Sequence, residues 1–254
     1  MNKELLSLNR LLGVFDSKTI KNPVLKDEVK DVEIEYISIK GKNTFESSVQ
    51  KNTIDVLLTF KGKGCFINNE KEHTINSNTI IRVPYDSRYS LFVKEGEELH
   101  FILIRKLLDE KDIEVIKSRE SDFAGLYFKA LEDCSTYKED IKSDKTVNRM
   151  ILPEGLVPRF ALGSVESEGP DEVGEHEHPM LDQIFLGLNG CKCNCYADGE
   201  DEVLVENMML HIPLGSKHHV KVKEGDKLAY IWMDFFLTIE GEKYMSEQHD
   251  VEDK

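Results

Sequence analysis

Two stretches of this chain, 128 residues apart, pass through the same order of apolar strand, glycine, turn, strand and proline. In the first, TIDVLLTF leads to Gly62, and TIIRV runs into Pro84, 22 residues further on. In the second, LDQIFLGL leads to Gly190, and MMLHI runs into Pro213, 23 residues further on. A period of this size is too long for a solenoid repeat and points to duplication of a whole domain. At about 150 residues per domain, a length of 254 sits between one domain and two. The duplication favours two.

The segments within each copy are short and rich in β-branched and aromatic residues, with Gly, Asn and Pro between them. The first copy reads VEIEYISI, TIDVLLTF, GCFIN, NTIIRVP, YSLFV and ELHFILIR; the second reads LVPRFALGSVE, LDQIFLGL, CKCNCYA, EVLVE, MMLHIP, HVKVK and KLAYIWMDFFLTI. Hairpin spacing of this kind favours antiparallel jelly-roll barrels, since a parallel sheet would need a helix between most strand pairs. Helical spacing is confined to ELLSLNRLL near the start and to RKLLDEKDIEVIKS and FAGLYFKALEDC in the middle. The expected organisation is an amphipathic helix and connector over 1–30, a barrel over 31–105, a helical linker over 106–148 and a second barrel over 149–254. The fold class is all-β with a helical connector.

Charge narrows the partners. Lys and Arg number 33 against 48 Asp and Glu, giving a net charge of −15, which argues against nucleic acid. No apolar run approaches the roughly 18 residues of a spanning helix. Lys3, Glu4 and Arg10 interrupt any signal-peptide core. The expectation is a soluble cytoplasmic protein with a small-molecule ligand, no membrane partner, and a homodimer as the commonest closed assembly. The five cysteines make a poor disulfide framework, because Cys191, Cys193 and Cys195 alternate and the total is odd. On a strand these three share a face; small buried reduced thiols are favoured over a metal–thiolate site.

The chemistry concentrates in GEHEHPMLDQIFLGLNG and HIPLGSKHHV. His176 and His178 alternate, so a strand presents both imidazoles on one face. Gln183 follows on the next strand, and His218 comes just past the turn Pro213–Leu214–Gly215. In a closed barrel these side chains can converge, and imidazole suits divalent Fe, Mn, Ni, Co or Zn. His211 reads as a satisfied polar residue, and His219 should face away from His218. On the last strand Tyr230, Trp232 and Asp234 alternate as candidate cavity residues, and Arg159 is a candidate carboxylate clamp.

These segments resemble the paired motifs of the cupin superfamily. HxH, four residues, Gln, six residues and Gly is similar to G(x)5HxH(x)3,4E(x)6G, and PxGxxH is similar to G(x)5PxGxxH(x)3N. Gln183 stands at the glutamate position; Asp182 also falls within the spacing, but six residues from Gln183 to Gly190 favour the glutamine. Gly169 and Pro170 displace the leading glycine, and Asn207 and Val222 replace the outer residues of the second motif. The resemblance implies a bicupin with one metal in the C-terminal barrel, held by His176, His178, Gln183 and His218. Carried back through the repeat, the same positions hold Ser48, Gln50, Asp55 and Tyr89, so no metal is expected in the N-terminal barrel.

Three neutral imidazoles and an amide would leave a bound ion close to its full +2 charge, attractive to anionic oxygen donors. The resemblance implies a metal-dependent enzyme acting on a small oxygen-rich metabolite, dioxygenase ahead of isomerase or lyase. A non-catalytic binding or sensor bicupin is the alternative, and a storage-type dimer with an idle site is a third reading.

Overall fold

The computed structural model describes residues 1–6, 19–48 and 50–246. The chain forms two compact units, Ser7–Asp133 and a second that joins Met1–Leu6 to Cys134–Lys254. The opening strand β1 (Lys3–Leu5) thus belongs with the C-terminal part of the chain.

The first unit contains β2 (Thr19–Pro23), β3 (Val32–Lys40), β4 (Asn43–Glu46), β5 (Thr53–Gly62), β6 (Gly64–Asn68), β7 (Lys71–Ile75), β8 (Thr79–Arg82), β9 (Tyr89–Val93) and β10 (Glu98–Leu107). Helices α1 (Glu110–Ser118) and α2 (Glu120–Ala124) follow, then β11 (Tyr127–Ala130). Its sheets have the orders β11-β8-β5-β10-β3-β2 and β4-β9-β6-β7, and every pairing is antiparallel. Alternation places Tyr89, Leu91 and Val93 of β9 in the core beside Phe45, Phe66, Leu99 and Phe101.

The second unit contains β12 (Thr136–Tyr137), β13 (Val147–Val157), β14 (Phe160–Glu168), β15 (Asp171–His176), β16 (Leu181–Gly187), β17 (Lys192–Ala197), β18 (Glu200–Val205), β19 (Met208–Ile212), β20 (His218–Val222), β21 (Lys227–Phe236) and α3 (Ile239–Ser246). A sheet in the order β1-β19-β16-β21-β14-β13-β12 faces β15-β20-β17-β18 across a core that includes Phe185, Leu210, Tyr230 and Trp232. Two antiparallel sheets enclosing an apolar interior make each unit a jelly roll, as the strand pattern predicts. Cys191, Cys193 and Cys195 are buried free thiols in this second core.

The duplication extends to strand register. Asp55 of β5 pairs with Arg105 of β10, and Gln183 of β16 pairs with Asp234 of β21. Tyr89 opens β9 as His218 opens β20. Gly62 and Gly190, the glycines that mark the repeat, both have positive φ, at +83° and +75°. At Gly62 an added Cβ would fall 1.9 Å from the Glu98 carbonyl oxygen, so the turn admits only glycine.

Four expectations of helix or strand are corrected. At the N-terminus, Lys3–Leu5 is a strand because the free edge of β19 takes it up, with Lys3 opposite Leu210 and Leu5 opposite Met208; residues 7–18 lie outside the described residues. In the linker, RKLLDEKDIEVIKS begins as the end of β10 and becomes helical only at Glu110, where Asp109 and Asp112 form a capping box. FAGLYFKALEDC is not one helix: Gly125 follows α2, and β11 pairs with β8 while Phe128 packs on the core. Edge pairing and aromatic burial override the helical spacing there. LVPRFALGSVE, finally, is a strand end, a two-residue turn at Pro158–Arg159 and a second strand, with Val157 opposite Phe160. Among the described residues no helix is long and apolar enough to cross a membrane.

Candidate metal centre

Plain alternation from Val173, which faces the core, would aim Glu175 inward and His176 outward. A β-bulge prevents this. Val173 pairs with Val220 and His176 with His218, so β15 carries one more residue than β20 between those rungs. The extra residue turns His176 and His178 inward and leaves Glu175 and Glu177 exposed. His176, His178 and His218 then offer ring nitrogens that all lie within 4.8 Å of one another. Their ring centroids are 4.2 to 5.5 Å apart.

Hydrogen bonds fix which nitrogen faces the interior. His176 Nδ1 is 2.8 Å from the Gly174 carbonyl oxygen, and His218 Nδ1 is 3.0 Å from that of Ser216. A carbonyl only accepts, so both Nδ1 atoms carry the proton and both Nε2 atoms keep a lone pair. Burial lowers the His176 pKa. At His218, burial first and His176 second bring it down to about 4, so the ring is neutral at pH 7. The amide of Gln183 is oriented in the same way. Its Nε2 donates to Asp234 Oδ1 at 2.7 Å, and a carboxylate accepts only, so Oε1 is the free end. His218 Nε2 and Gln183 Oε1 are both buried without a hydrogen-bond partner. Leaving two buried acceptors unpaired costs about 1–3 kcal/mol each. A divalent cation in the shared cavity is the partner that both acceptors lack, and for the imidazoles donors bonded at about 2.1 Å to one ion are at most about 4.2 Å apart, a small adjustment from the 4.8 Å spread of the three histidines. The residues fit such an ion.

These groups line a cavity together with Phe185, Tyr230, Trp232 and Asp234. Water-sized spheres can be centred in about 40 Å³ of it, which corresponds to roughly three waters. Tyr230, Trp232 and Asp234 therefore lie where the alternation of the last strand puts them. Asp182 faces the other side of β16, where its Oδ1 is 3.1 Å from His211 Nε2 and accepts from the Leu214 N–H at 3.1 Å. His219 also faces away and stacks on Tyr196.

Arg159 is corrected. It occupies the tight β13–β14 turn with φ +59°, and its guanidinium donates to the Leu237 carbonyl oxygen at 3.4 Å. The backbone N–H groups of Arg159 and Gly155 donate to the Glu242 carboxylate of α3. The turn anchors a helix and does not line the cavity.

Sequence reasoning missed Glu139, Ile141 and Lys142, which line the cavity from the segment assigned to a helical linker. Lys142 forms an antiparallel bridge with Val173, and the Gly174 N–H donates to the Ile141 carbonyl oxygen at 2.7 Å. Opposed residues in an antiparallel pair share a face, so Lys142 points inward with Val173. No periodicity marks these residues, because a single bridge holds them.

In the first unit Ser48 and Gln50, opposite His176 and His178 in the repeat, are exposed. Asp55 and Tyr89, opposite Gln183 and His218, bond to each other at 2.9 Å, and Arg105 holds Asp55 through two bonds of 2.8 Å.

No family model matches the sequence, and no curated protein matches it significantly. Solved structures do match. A protein described as glyoxylate-induced, from Pseudomonas aeruginosa, superposes with a TM-score of 0.71 at 10% identity, over 85% of this chain and 79% of its own. A cupin 2 conserved barrel domain protein from Leptotrichia buccalis gives 0.63 at 14%, over 92% and 96%. The fold is that of a bicupin. An oxalate decarboxylase shares it with a TM-score of 0.57 at 11% identity, over 82% and 71%. At such identities the likeness fixes the bicupin architecture alone.

Proposed function

We propose that this bicupin is a metal-dependent enzyme with one divalent transition ion in its second barrel, held by His176, His178, His218 and Gln183. The observation that carries the reading is the pair of buried, unpartnered acceptors, His218 Nε2 and Gln183 Oε1, beside two further imidazoles. When bound, the ion supplies Lewis acidity to a substrate oxygen, or a site for O2 if it is iron. The chain's own residues do the rest. The Gly174 and Ser216 carbonyls hold two imidazoles in the ligating tautomer, and Asp234 holds the amide. Val173, Phe185 and Val220 wall the cavity with apolar surface that excludes bulk water. Its size suits a small oxygen-rich metabolite. Dioxygenase chemistry comes first, ahead of isomerase or lyase chemistry; proteins of this fold include an oxalate decarboxylase and storage globulins alike, so the donor set and not the likeness argues for a catalytic over an idle site.

The test is metal content by elemental mass spectrometry on untagged wild type and His218→Ala. Near-stoichiometric iron, manganese, nickel, cobalt or zinc in the wild type, reduced at least tenfold in the variant, is the expected result. Wild type that neither contains nor takes up any of these ions overturns the reading and leaves a binding module. An iron-loaded protein that turns over its substrate without O2 uptake moves it to the isomerase or lyase class.

A further inference from the structure

Lys142 is the single Lys or Arg among the described residues lining the cavity, and its side chain is only 6% exposed. Its Nζ lies 2.8 Å from Glu139 Oε2, and the Glu139 side chain, 17% exposed, faces the same cavity. Desolvation of an ammonium to this degree is unfavourable and lowers the Lys142 pKa, with Glu139 as the opposing influence. The backbone holds the lysine there. Residues 139–142 close a turn through the Lys142 N–H and the Glu139 carbonyl oxygen, and the bridge to Val173 fixes the next step of the chain. An added Cβ at Gly174 would sit 3.3 Å from the Ile141 oxygen, so the glycine lets this segment lie close against β15.

A structural role would be met equally well by an apolar side chain, because a buried ion pair seldom stabilises more than a hydrophobic pair of similar volume. Charge balance gives a better account. Counted as ionised, Lys142 contributes +1 and Glu139 and Asp234 contribute −1 each, while the imidazoles and Gln183 are neutral. A divalent ion brings the cavity to +1, which a single monoanion neutralises. Glu139, on the same short segment, is the group such an anion would replace at the ammonium.

We propose that Lys142 is the substrate-anion anchor, and that the substrate class is a small monocarboxylate able to place one oxygen on the metal and its carboxylate on Lys142. This rests on the metal reading above. Specificity for charge then resides in Lys142, size is set by the cavity walls, and Glu139 keeps the ammonium paired until substrate arrives. Carboxylate recognition by a lysine is a point-charge contact, which tolerates variation in the rest of a small acid.

The test uses the full chain loaded with Co(II), whose visible spectrum reports ligands entering the coordination sphere, titrated with glycolate and with its uncharged analogue glycolamide. Wild type is expected to bind glycolate at least tenfold more tightly than glycolamide. Lys142→Met should keep its Co(II) and lose that preference, and Lys142→Arg should restore part of it. Glu139→Gln, which frees the ammonium, should tighten glycolate several-fold, and it serves if Lys142→Met does not fold. Equal binding of the two probes by wild type, an undiminished preference in Lys142→Met, or no change in Glu139→Gln overturns the proposal. Wild type that takes up no Co(II) instead overturns the metal reading, so the two failures are distinct.

Discussion

Asp234 shows how one side chain settles the chemistry of another. Because its carboxylate can only accept, the Gln183 amide must turn its nitrogen to Asp234 and its oxygen to the cavity. Asn at 234 would remove that compulsion, since its amide both donates and accepts. Asp234→Asn is expected to weaken metal binding by about tenfold, read by competition with a chromophoric chelator. Unchanged affinity would take Gln183 out of the ligand set. His100, in the first unit, makes a pH prediction. It is 1% exposed, its Nδ1 lies 2.6 Å from the Tyr36 hydroxyl, and burial lowers its pKa although Glu98 opposes the shift. The unfolded chain therefore takes up this proton first, at about pH 6.5. The contribution to stability is complete above that pH, declines as pH falls below it, and levels off once the folded histidine titrates. His100→Gln should accordingly lose less stability than wild type between pH 7 and pH 5, measured by urea unfolding; parallel profiles would refute this. Among site residues, the histidines and Gln183 were legible because their spacing resembles the paired motifs and because His176 and His178, two residues apart, share a face whichever way the strand turns. Lys142 and Glu139 were not, since their position depends on one long-range bridge.

At the scale of elements, alternation alone would have failed on β15. It would aim Glu175 inward from Val173, and the bulge that reverses this leaves no clear mark in the sequence beyond Gly174. Most strands were legible, since β-branched and aromatic residues recur between turn formers; the edge strands β1, β2, β4, β7, β11 and β12 were not, because each is defined by the sheet edge it joins. The pairing of β14 with β21 carries its own constraint. Gly163 lies opposite Trp232, and a Cβ there would fall 2.1 Å from Trp232 Cζ2 and 2.3 Å from Cε2. The bare glycine surface is what lets the indole lie flat across the strand and line the cavity. Gly163→Ala is expected to cost about 2 kcal/mol through overpacking and to displace the indole. Trp232 is the chain's one tryptophan, so its emission reads the site directly. A variant with unshifted emission and wild-type stability would show that the contact relaxes freely.

At the scale of the molecule, duplication has produced two barrels with one register and different interiors. The positions that gather acceptors in the second unit hold a closed Asp55–Arg105–Tyr89 network in the first, where each polar atom of the carboxylate already has a protein partner. The repeat was legible because glycine and proline mark its turns; the strand that departs from it was not. β1 begins the chain yet completes the second unit. It pairs with β19 from Lys3 to Leu5, the Asn2 carbonyl oxygen accepts from the His211 N–H at 2.8 Å, and Leu6 is buried. Beside it, β19 leads into the Pro213 turn that carries His218, so this edge supports the candidate site at one remove. Water can replace the backbone partners of β19 but not the packing of Leu6, which puts the loss on deleting residues 1–6 at roughly 2 kcal/mol. For a unit of this size that is about 6–8 °C in midpoint. The shift should be seen in the Trp232 emission, which belongs to the second unit. A deletion that left the Trp232 midpoint unchanged would mean that β19 needs no partner on that edge, and that the second barrel is stable on the strands from Cys134 onward alone.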